Sequence, residues 1–206
     1  MKPSQRFVAH PWHGVSPGEK APLVVTCYVE IVPTDAVKYE LDKETGLLRV
    51  DRPQKFSSVP PTLYGFIPRT YCAEQVAARA AERAKRSAMR GDGDPLDVCI
   101  LTEKPFTHGD ILVPALPVGG LRMLDGDEAD DKIIAVMRGD SVYGSLDDIG
   151  KLPKALVDRL RHYFLTYKQS PDSEKPTVEI AEVYDRAEAF EVINRSFADY
   201  KVHYGD

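Results

Sequence analysis

The chain has 206 residues, 43% of them hydrophobic and 29% charged, with a net charge of −5. That length suits one domain burying about 70% of its unfolded surface. No apolar run reaches the roughly 18 residues that a membrane span needs, and the acidic balance argues against nucleic acid as a partner. Met1–Arg6 lead into no long apolar segment, so no signal peptide and a cytoplasmic location are expected.

Residues 1–22, rich in Pro, Gly and His, read as an irregular arm laid on the fold, with His10 and His13 in packing or surface roles. Leu23–Val32 is a β-branched run that predicts a strand with Glu30 near its end. Lys38–Asp42 and Leu47–Asp51 flank Lys43-Glu44-Thr45-Gly46, a hairpin-type turn. Residues 60–68, bounded by prolines, predict a rigid loop or an edge strand. Ala73–Arg90, alanine-rich and bearing Arg79, Arg83, Lys85, Arg86 and Arg90, predicts a basic, mostly exposed helix inserted into the fold.

Strands are expected again at Asp97–Thr102, Ile111–Val118, Leu121–Leu124 and Ile133–Met137. The last third reads as helical. Pro153 opens a stripe of Leu156, Val157, Leu160, Phe164 and Tyr167, and Phe190, Ile193, Phe197 and Tyr200 form a second. Five or more short strands followed by two helices predict the α+β class: a small closed OB-like β-barrel flanked by helices, in a single domain over 1–206. Cys27, Cys72 and Cys99 are odd in number, and two of them sit in apolar runs, so reduced core thiols are expected.

The densest chemistry lies at Asp92-Gly93-Asp94-Pro95-Leu96-Asp97 and Asp125-Gly126-Asp127-Glu128-Ala129-Asp130-Asp131-Lys132. Two carboxylates about 4 Å apart repel by roughly 4 kcal/mol at an effective dielectric near 20, so a converging set must take up protons or hold a cation. With only oxygen donors nearby, the cation is a hard one such as Mg²⁺, Mn²⁺ or Ca²⁺. An EF-hand fails here: Leu96 and Asp97 would occupy its fifth and sixth positions, and Val98–Thr102 read as a strand. Taken singly, Arg52, Tyr167 and Lys168 suit ordinary surface, core and helix-end roles, and Asp127, Glu128 and Asp131 are read as solvated or as lying behind the ligands.

Lys38-Tyr39-Glu40, Asp51-Arg52, Tyr64-Gly65-Phe66-Ile67-Pro68, the Asp92–Asp97 element, Asp125 with Asp130-Asp131-Lys132, and Tyr167-Lys168 occur in that order over about residues 24–168. Their order and spacing resemble the signature of the soluble family I inorganic pyrophosphatases. The resemblance implies Mg²⁺-dependent hydrolysis of pyrophosphate to two orthophosphates by a metal-activated hydroxide, with several ions per site, Mn²⁺ as a substitute and Ca²⁺ inhibitory. It implies that Asp92, Asp97 and Asp130 hold the first ion, that Asp97 also holds the second, and that Asp125 and Asp130 take one arriving with substrate. Glu30 and Glu40 would serve a further ion, and Asp94 would be the general base. Lys38, Arg52, Tyr64, Lys132, Tyr167 and Lys168 would bind phosphate. The resemblance also implies a five-stranded OB-like barrel with helices outside it, and a homo-oligomer is expected; the cytoplasmic location and the expectation of neither nucleic acid nor membrane as partner rest on composition and patterning.

Two departures stand out. Where the family commonly carries an aromatic four residues before the tyrosine of the YGxI element, this chain has Pro60, so any contact from there is lost or supplied elsewhere. The 73–90 insertion is absent from shorter bacterial relatives and resembles a longer variant. Its arginines are either a solvated face or an overhang that steers anions to the site. The competing readings are an OB-type binding module with structural Ca²⁺ and a metal phosphoesterase acting on organic phosphates.

Overall fold

The computed structural model describes residues 8–169, 172 and 178–205. Met1–Arg6, on which the expectation of no signal peptide rests, and the start of the arm therefore lie outside the described residues. In chain order the elements are β1 (Val25–Ile31), β2 (Val37–Leu41), β3 (Leu48–Pro53), β4 (Leu63–Phe66), α1 (Glu74–Ala84), β5 (Arg90–Gly91), β6 (Asp97–Leu101) and β7 (Ile111–Asp125). They continue with β8 (Glu128–Ala129), β9 (Lys132–Met137), α2 (Lys154–Thr166), β10 (Val178–Asp185) and α3 (Arg186–Tyr204).

β1, β4, β6, β9 and β7 hydrogen-bond in that order, and β7 pairs back onto β1, which closes a ring of five strands. Closure removes the exposed edges that an open sheet would leave. Val25, Val29, Leu63, Val98, Ile100, Val113 and Ile133 fill one apolar cluster, sealed by Ala189, Val192 and Ile193 of α3. A second cluster, with Cys99, Leu121 and Ile134, is covered by Leu160 and Phe164 of α2. All three cysteines are free and buried, as expected. Among the described residues, no helix is long and apolar enough to cross a membrane.

Four expectations are corrected. The segment at 60–68 is not an edge, because β4 lies between β1 and β6; Pro60 and Pro61 precede the strand and Pro68 follows it, so none costs a ladder hydrogen bond. Ile111–Val118 and Leu121–Leu124 are one strand of 15 residues. Gly119 and Gly120 do not end it: a Cβ on Gly120 would lie 2.3 Å from the Tyr184 ring, so glycine is what lets β10 pack there, and the pairing with β9 shifts register at this point. The last third is not wholly helical, since β10 runs antiparallel to β7.

The helix expected over 73–90 ends at Ala84, where Lys85 turns left-handed (φ 55°), and Arg90–Gly91 pair with β8 instead. Nor is it mostly exposed. Val76, Ala77 and Ala80 are buried in a helix that packs on α3, and Asp199 of α3 caps it by accepting from the backbone N–H of Ala73, Gln75 and Val76 at 3.0–3.1 Å.

The arm is laid on the body as expected: Trp12 is 2% exposed and its Nε1 donates to the Thr70 carbonyl at 2.7 Å. Where β4 crosses β1 the backbones nearly touch, and a Cβ on Gly65 would stand 1.9 Å from the Tyr28 carbonyl oxygen. Gly65→Ala is expected to destabilise the fold by about 3 kcal/mol or more, a fall in Tm of roughly 6–12 °C by thermal melting. A fall within 2 °C would show that the strands part easily there.

Candidate active site

At one end of the barrel a cleft of about 250 Å³ takes side chains from β1, β2, β3, β4, β6, α2 and the loops before β6 and β9. Every residue that the sequence assigned to a metal ion, to the proton or to phosphate lines it: Glu30, Lys38, Glu40, Arg52, Tyr64, Asp92, Asp94, Asp97, Asp125, Asp130, Lys132, Tyr167 and Lys168.

The Asp92–Asp97 loop is held by its own backbone. Gly93 takes φ +73°, the Asp94 N–H donates to Asp92 Oδ1 at 2.9 Å, and Cys72 brackets the loop by donating to the Asp94 carbonyl at 2.9 Å while accepting from Gly93 N–H at 3.1 Å. The Leu96 N–H donates to Thr70 Oγ1 at 2.8 Å, which delivers Asp97 as the first residue of β6. Parallel pairing then sets Asp97 opposite Lys132, the first residue of β9, so two motifs 35 positions apart meet across one ladder step. The Lys132 ammonium touches both Asp97 and Asp130. Lys168, just beyond α2, reaches Asp125 at 2.5 Å, and Lys38 reaches Asp51 at 3.0 Å.

Burial makes these charges expensive. It raises Glu30 to about 8, although the Leu41 N–H that donates to its carboxylate at 2.7 Å works in the other direction. Burial, and then the Asp130 charge, push Asp92 up to about 9. Asp97 is raised by burial against the pull of Lys132. Burial opposes the charged form of Lys132, yet Asp130 and Asp97 hold its pKa well above the ordinary lysine value. Acid and base groups are thus closely balanced in the buried part of the cleft, and an anionic ligand would find Lys38, Arg52, Lys132 and Lys168 around it.

Several lining residues escape sequence reasoning, Lys43 and Tyr163 among them. Lys43, read as part of a turn, folds over from the hairpin between β2 and β3, and its ammonium meets the Asp94 carboxylate. Tyr163 stands one helical turn before Tyr167 and stacks on it with ring centroids 5.3 Å apart; that i, i+4 spacing is the signal that could have found it. Pro60 is buried and lines a neighbouring hollow that Tyr163 also borders. Asp131 is not solvated but buried, while Glu128 lines the cleft and pairs with Arg90 at 2.8 Å. The overhang reading fails: Arg79 pairs with Glu188 at 2.6 Å, Arg83 with Glu182 and Arg86 with Glu179 at 2.6 Å, and none of the three lines the cleft.

The inorganic pyrophosphatase family model matches residues 27–201. The chain is 50% identical over 204 residues to the inorganic pyrophosphatase of Chlamydia trachomatis, covering 97% of this chain and 98% of that protein. It is 38% identical to soluble inorganic pyrophosphatase 2 of Chlamydomonas reinhardtii, with 95% and 91% covered. The crystal structure of the Thermus thermophilus inorganic pyrophosphatase superposes with a TM-score of 0.77 at 32% identity, over 94% of this chain and 99% of that one. Barrel, cleft and sequence agree, and the chain belongs to the inorganic pyrophosphatase family.

Proposed function

We propose that this cleft hydrolyses inorganic pyrophosphate to two orthophosphates with the help of Mg²⁺. The observation that carries the reading is the meeting, in one cleft of a chain of this family, of a buried carboxylate cluster with a set of cationic and phenolic side chains.

The donors suit a hard divalent ion. They are all carboxylate oxygens, and burial holds Asp92, Asp97 and Glu30 above their ordinary pKa, so a cation among them would relieve a cost already present. Among the described residues no three acidic, histidine or cysteine side chains already form a cage for one ion; Lys132 stands between Asp97 and Asp130, and Lys43 against Asp94. Asp92, Asp97 and Asp130 would hold a first ion, Asp97 a second, Asp125 and Asp130 one arriving with substrate, and Glu30 and Glu40 a further one. Divalent ions held there supply Lewis acidity, acidifying water and neutralising phosphate charge.

The chain's own groups do the rest. Asp94 orients the attacking water and takes its proton as the new P–O bond forms. Lys38, Arg52, Lys132 and Lys168 hold the phosphate oxygens and offset the negative charge that grows on the bridging oxygen as its bond to phosphorus breaks. Tyr64 and Tyr167, whose phenols burial keeps protonated, donate neutral hydrogen bonds. A cytoplasmic homo-oligomer is the accompanying proposal.

The test is phosphate release from pyrophosphate, ATP and p-nitrophenyl phosphate, with and without Mg²⁺ and with Ca²⁺ or fluoride added. Preference for pyrophosphate, dependence on Mg²⁺ and inhibition by both additives are expected. Equal turnover of p-nitrophenyl phosphate would favour a general phosphoesterase, and full activity in chelator would remove the metal from the reading.

Because none of its arginines lines the cleft, α1 takes no part in substrate capture. The Arg83→Gln/Arg86→Gln double variant is expected to keep wild-type kcat/KM at low and high ionic strength. A drop at low salt that vanishes at high salt would restore the steering role.

Stability should depend on pH in a direction set by the buried acids. Glu30 at about 8 and Asp92 at about 9 stand above their unfolded values near ~4, so the stability carried by their protonated forms is fully present below about pH 4. It is lost as pH rises through the folded values. Chelator-treated protein is therefore expected to melt at lower temperature at pH 9 than at pH 6. The rise in Tm on adding Mg²⁺ should grow over the same range, since the ion needs the carboxylates ionised. A metal-free Tm that climbs with pH would show that these groups ionise without cost.

A further inference from the structure

Arg122 is a full-length arginine in the middle of an apolar strand, 0% exposed. Its Nη1 donates to Glu182 of β10 at 2.9 Å, its Nη2 donates to Glu188 of α3 at 2.7 Å, and its guanidinium lies 5.0 Å from the centre of the Tyr184 ring. Its Nε faces Asp131, which is 2% exposed, at 3.4 Å. The chain of charges continues outward: Glu188 accepts from Arg79 of α1 at 2.6 and 3.0 Å, and Glu182 is paired with Arg83. Three elements outside the five-stranded ring, α1, β10 and α3, thus converge on one buried guanidinium.

That guanidinium has a single neighbour on the site's side. Asp131 is flanked by Asp130 and Lys132, and since side chains alternate along an extended chain, those two face the cleft while Asp131 points away from it toward Arg122. Buried ion pairs seldom stabilise a fold better than well-packed apolar groups of the same size, so net stability alone does not account for this network. The geometry at stake is demanding, because catalytic groups must be held within about 0.5 Å of their working positions.

We propose that Arg122 is a positioning residue: acting through Asp131, it fixes the main chain between Asp130 and Lys132, and α1 braces it from outside through Arg79 and Glu188. The inference rests on the pyrophosphatase reading for the roles of Asp130 and Lys132. It assigns to α1, which has no residue in the cleft, a part in holding the site.

The experiment uses the full chain and Mg²⁺ alone as probe. Asp131→Ala removes the tether while leaving Arg122 paired with two glutamates. It is expected to raise the Kd for Mg²⁺, measured calorimetrically without substrate, roughly tenfold, as loss of a group supporting metal ligands does. Backbone amides at Asp130 and Lys132 should also exchange with solvent faster. Arg79→Gln, at the half-exposed outer end, should raise Kd about threefold, being one step further from the ligands. The control is Asp140→Ala, which removes a buried carboxylate accepting from Thr102, Glu103, Val142 and Tyr143 at 2.8–2.9 Å, away from the cleft. It should lower Tm and leave Mg²⁺ affinity at the wild-type value.

Wild-type affinity and exchange in Asp131→Ala overturn the proposal, as does an equal loss of affinity in Asp140→Ala at the same drop in Tm. Should Asp131→Ala fail to fold, Arg79→Gln decides by the same criteria. A wild-type protein that binds Mg²⁺ but does not hydrolyse pyrophosphate would overturn the functional reading, while the exchange data would still report on the tether.

Discussion

Asp97→Asn is expected to lower kcat by on the order of 10³-fold, about 4 kcal/mol of lost transition-state stabilisation, and to weaken Mg²⁺ binding at the same time. The residue is assigned to two ions and also touches the Lys132 ammonium, so one amide removes a shared ligand and half of that lysine's anionic setting. The fold should survive. Burial already raises the pKa of Asp97, so its ionised form is a cost in the metal-free protein, and Lys132 keeps Asp130 as a partner. Phosphate release and calorimetric Mg²⁺ titration check the two effects, and melting should show a change of only a few degrees. Wild-type Mg²⁺ affinity in this variant would mean that Asp97 is not a shared ligand.

Asp94→Asn, three residues earlier, should behave differently. Its turnover is expected to fall by roughly 10²- to 10⁴-fold, the usual range for loss of a proton acceptor, while Mg²⁺ affinity stays within a few-fold of wild type. The structural basis is its place at the mouth of the cleft: the Asp94 side chain is 39% exposed against 21% for Asp97, and its carboxylate meets Lys43 from the hairpin rather than the Lys132 cluster. The measurement is kcat at saturating pyrophosphate beside a Mg²⁺ titration of the same preparation. If Asp94→Asn proves the worse metal binder of the two, the roles within the Asp92–Asp97 loop are exchanged.

These expected outcomes separate a more buried part of the cleft, at Asp97, from a more open part, at Asp94. The division follows from backbone geometry. Asp97 begins a barrel strand and is locked to Lys132 by parallel pairing, whereas Asp94 sits in a loop turned by Gly93.

The barrel strands and the candidate residues that line the cleft were legible in the sequence because both are written locally. β-branched runs bounded by turn residues place β1, β6 and β9, and the Asp92–Asp97 element carries its carboxylates on a backbone that its own glycine and proline shape. The alternation of Val178-Glu179-Ile180 was also present, but it lies in the stretch read as helical, and the β10 glutamates, Glu179 exposed and Glu182 half-buried, acquire meaning only from Arg83, Arg86 and Arg122 elsewhere in the chain. Local pattern likewise joined too much at 73–90 and divided too much at 111–124: Lys85 ends the helix with a conformation not specific to lysine, and β7 runs through two glycines because Tyr184 needs the space.

What only the tertiary structure decided is where charges go when they leave water. An arginine within an apolar strand reads as an outward-facing side chain, yet Arg122 is wholly enclosed because β10, α3 and the turn before β9 each bring it a carboxylate. Asp131 reads equally as a solvated acid or as one lying behind the ligands, and only the fold decides for the second by setting it against that arginine. Lys43 reads as a turn residue until the hairpin folds over Asp94. Residue type and spacing determine which groups can bind a cation or a phosphate; desolvation and the partner that offsets it depend on segments far apart in sequence, and those meet only when the barrel closes.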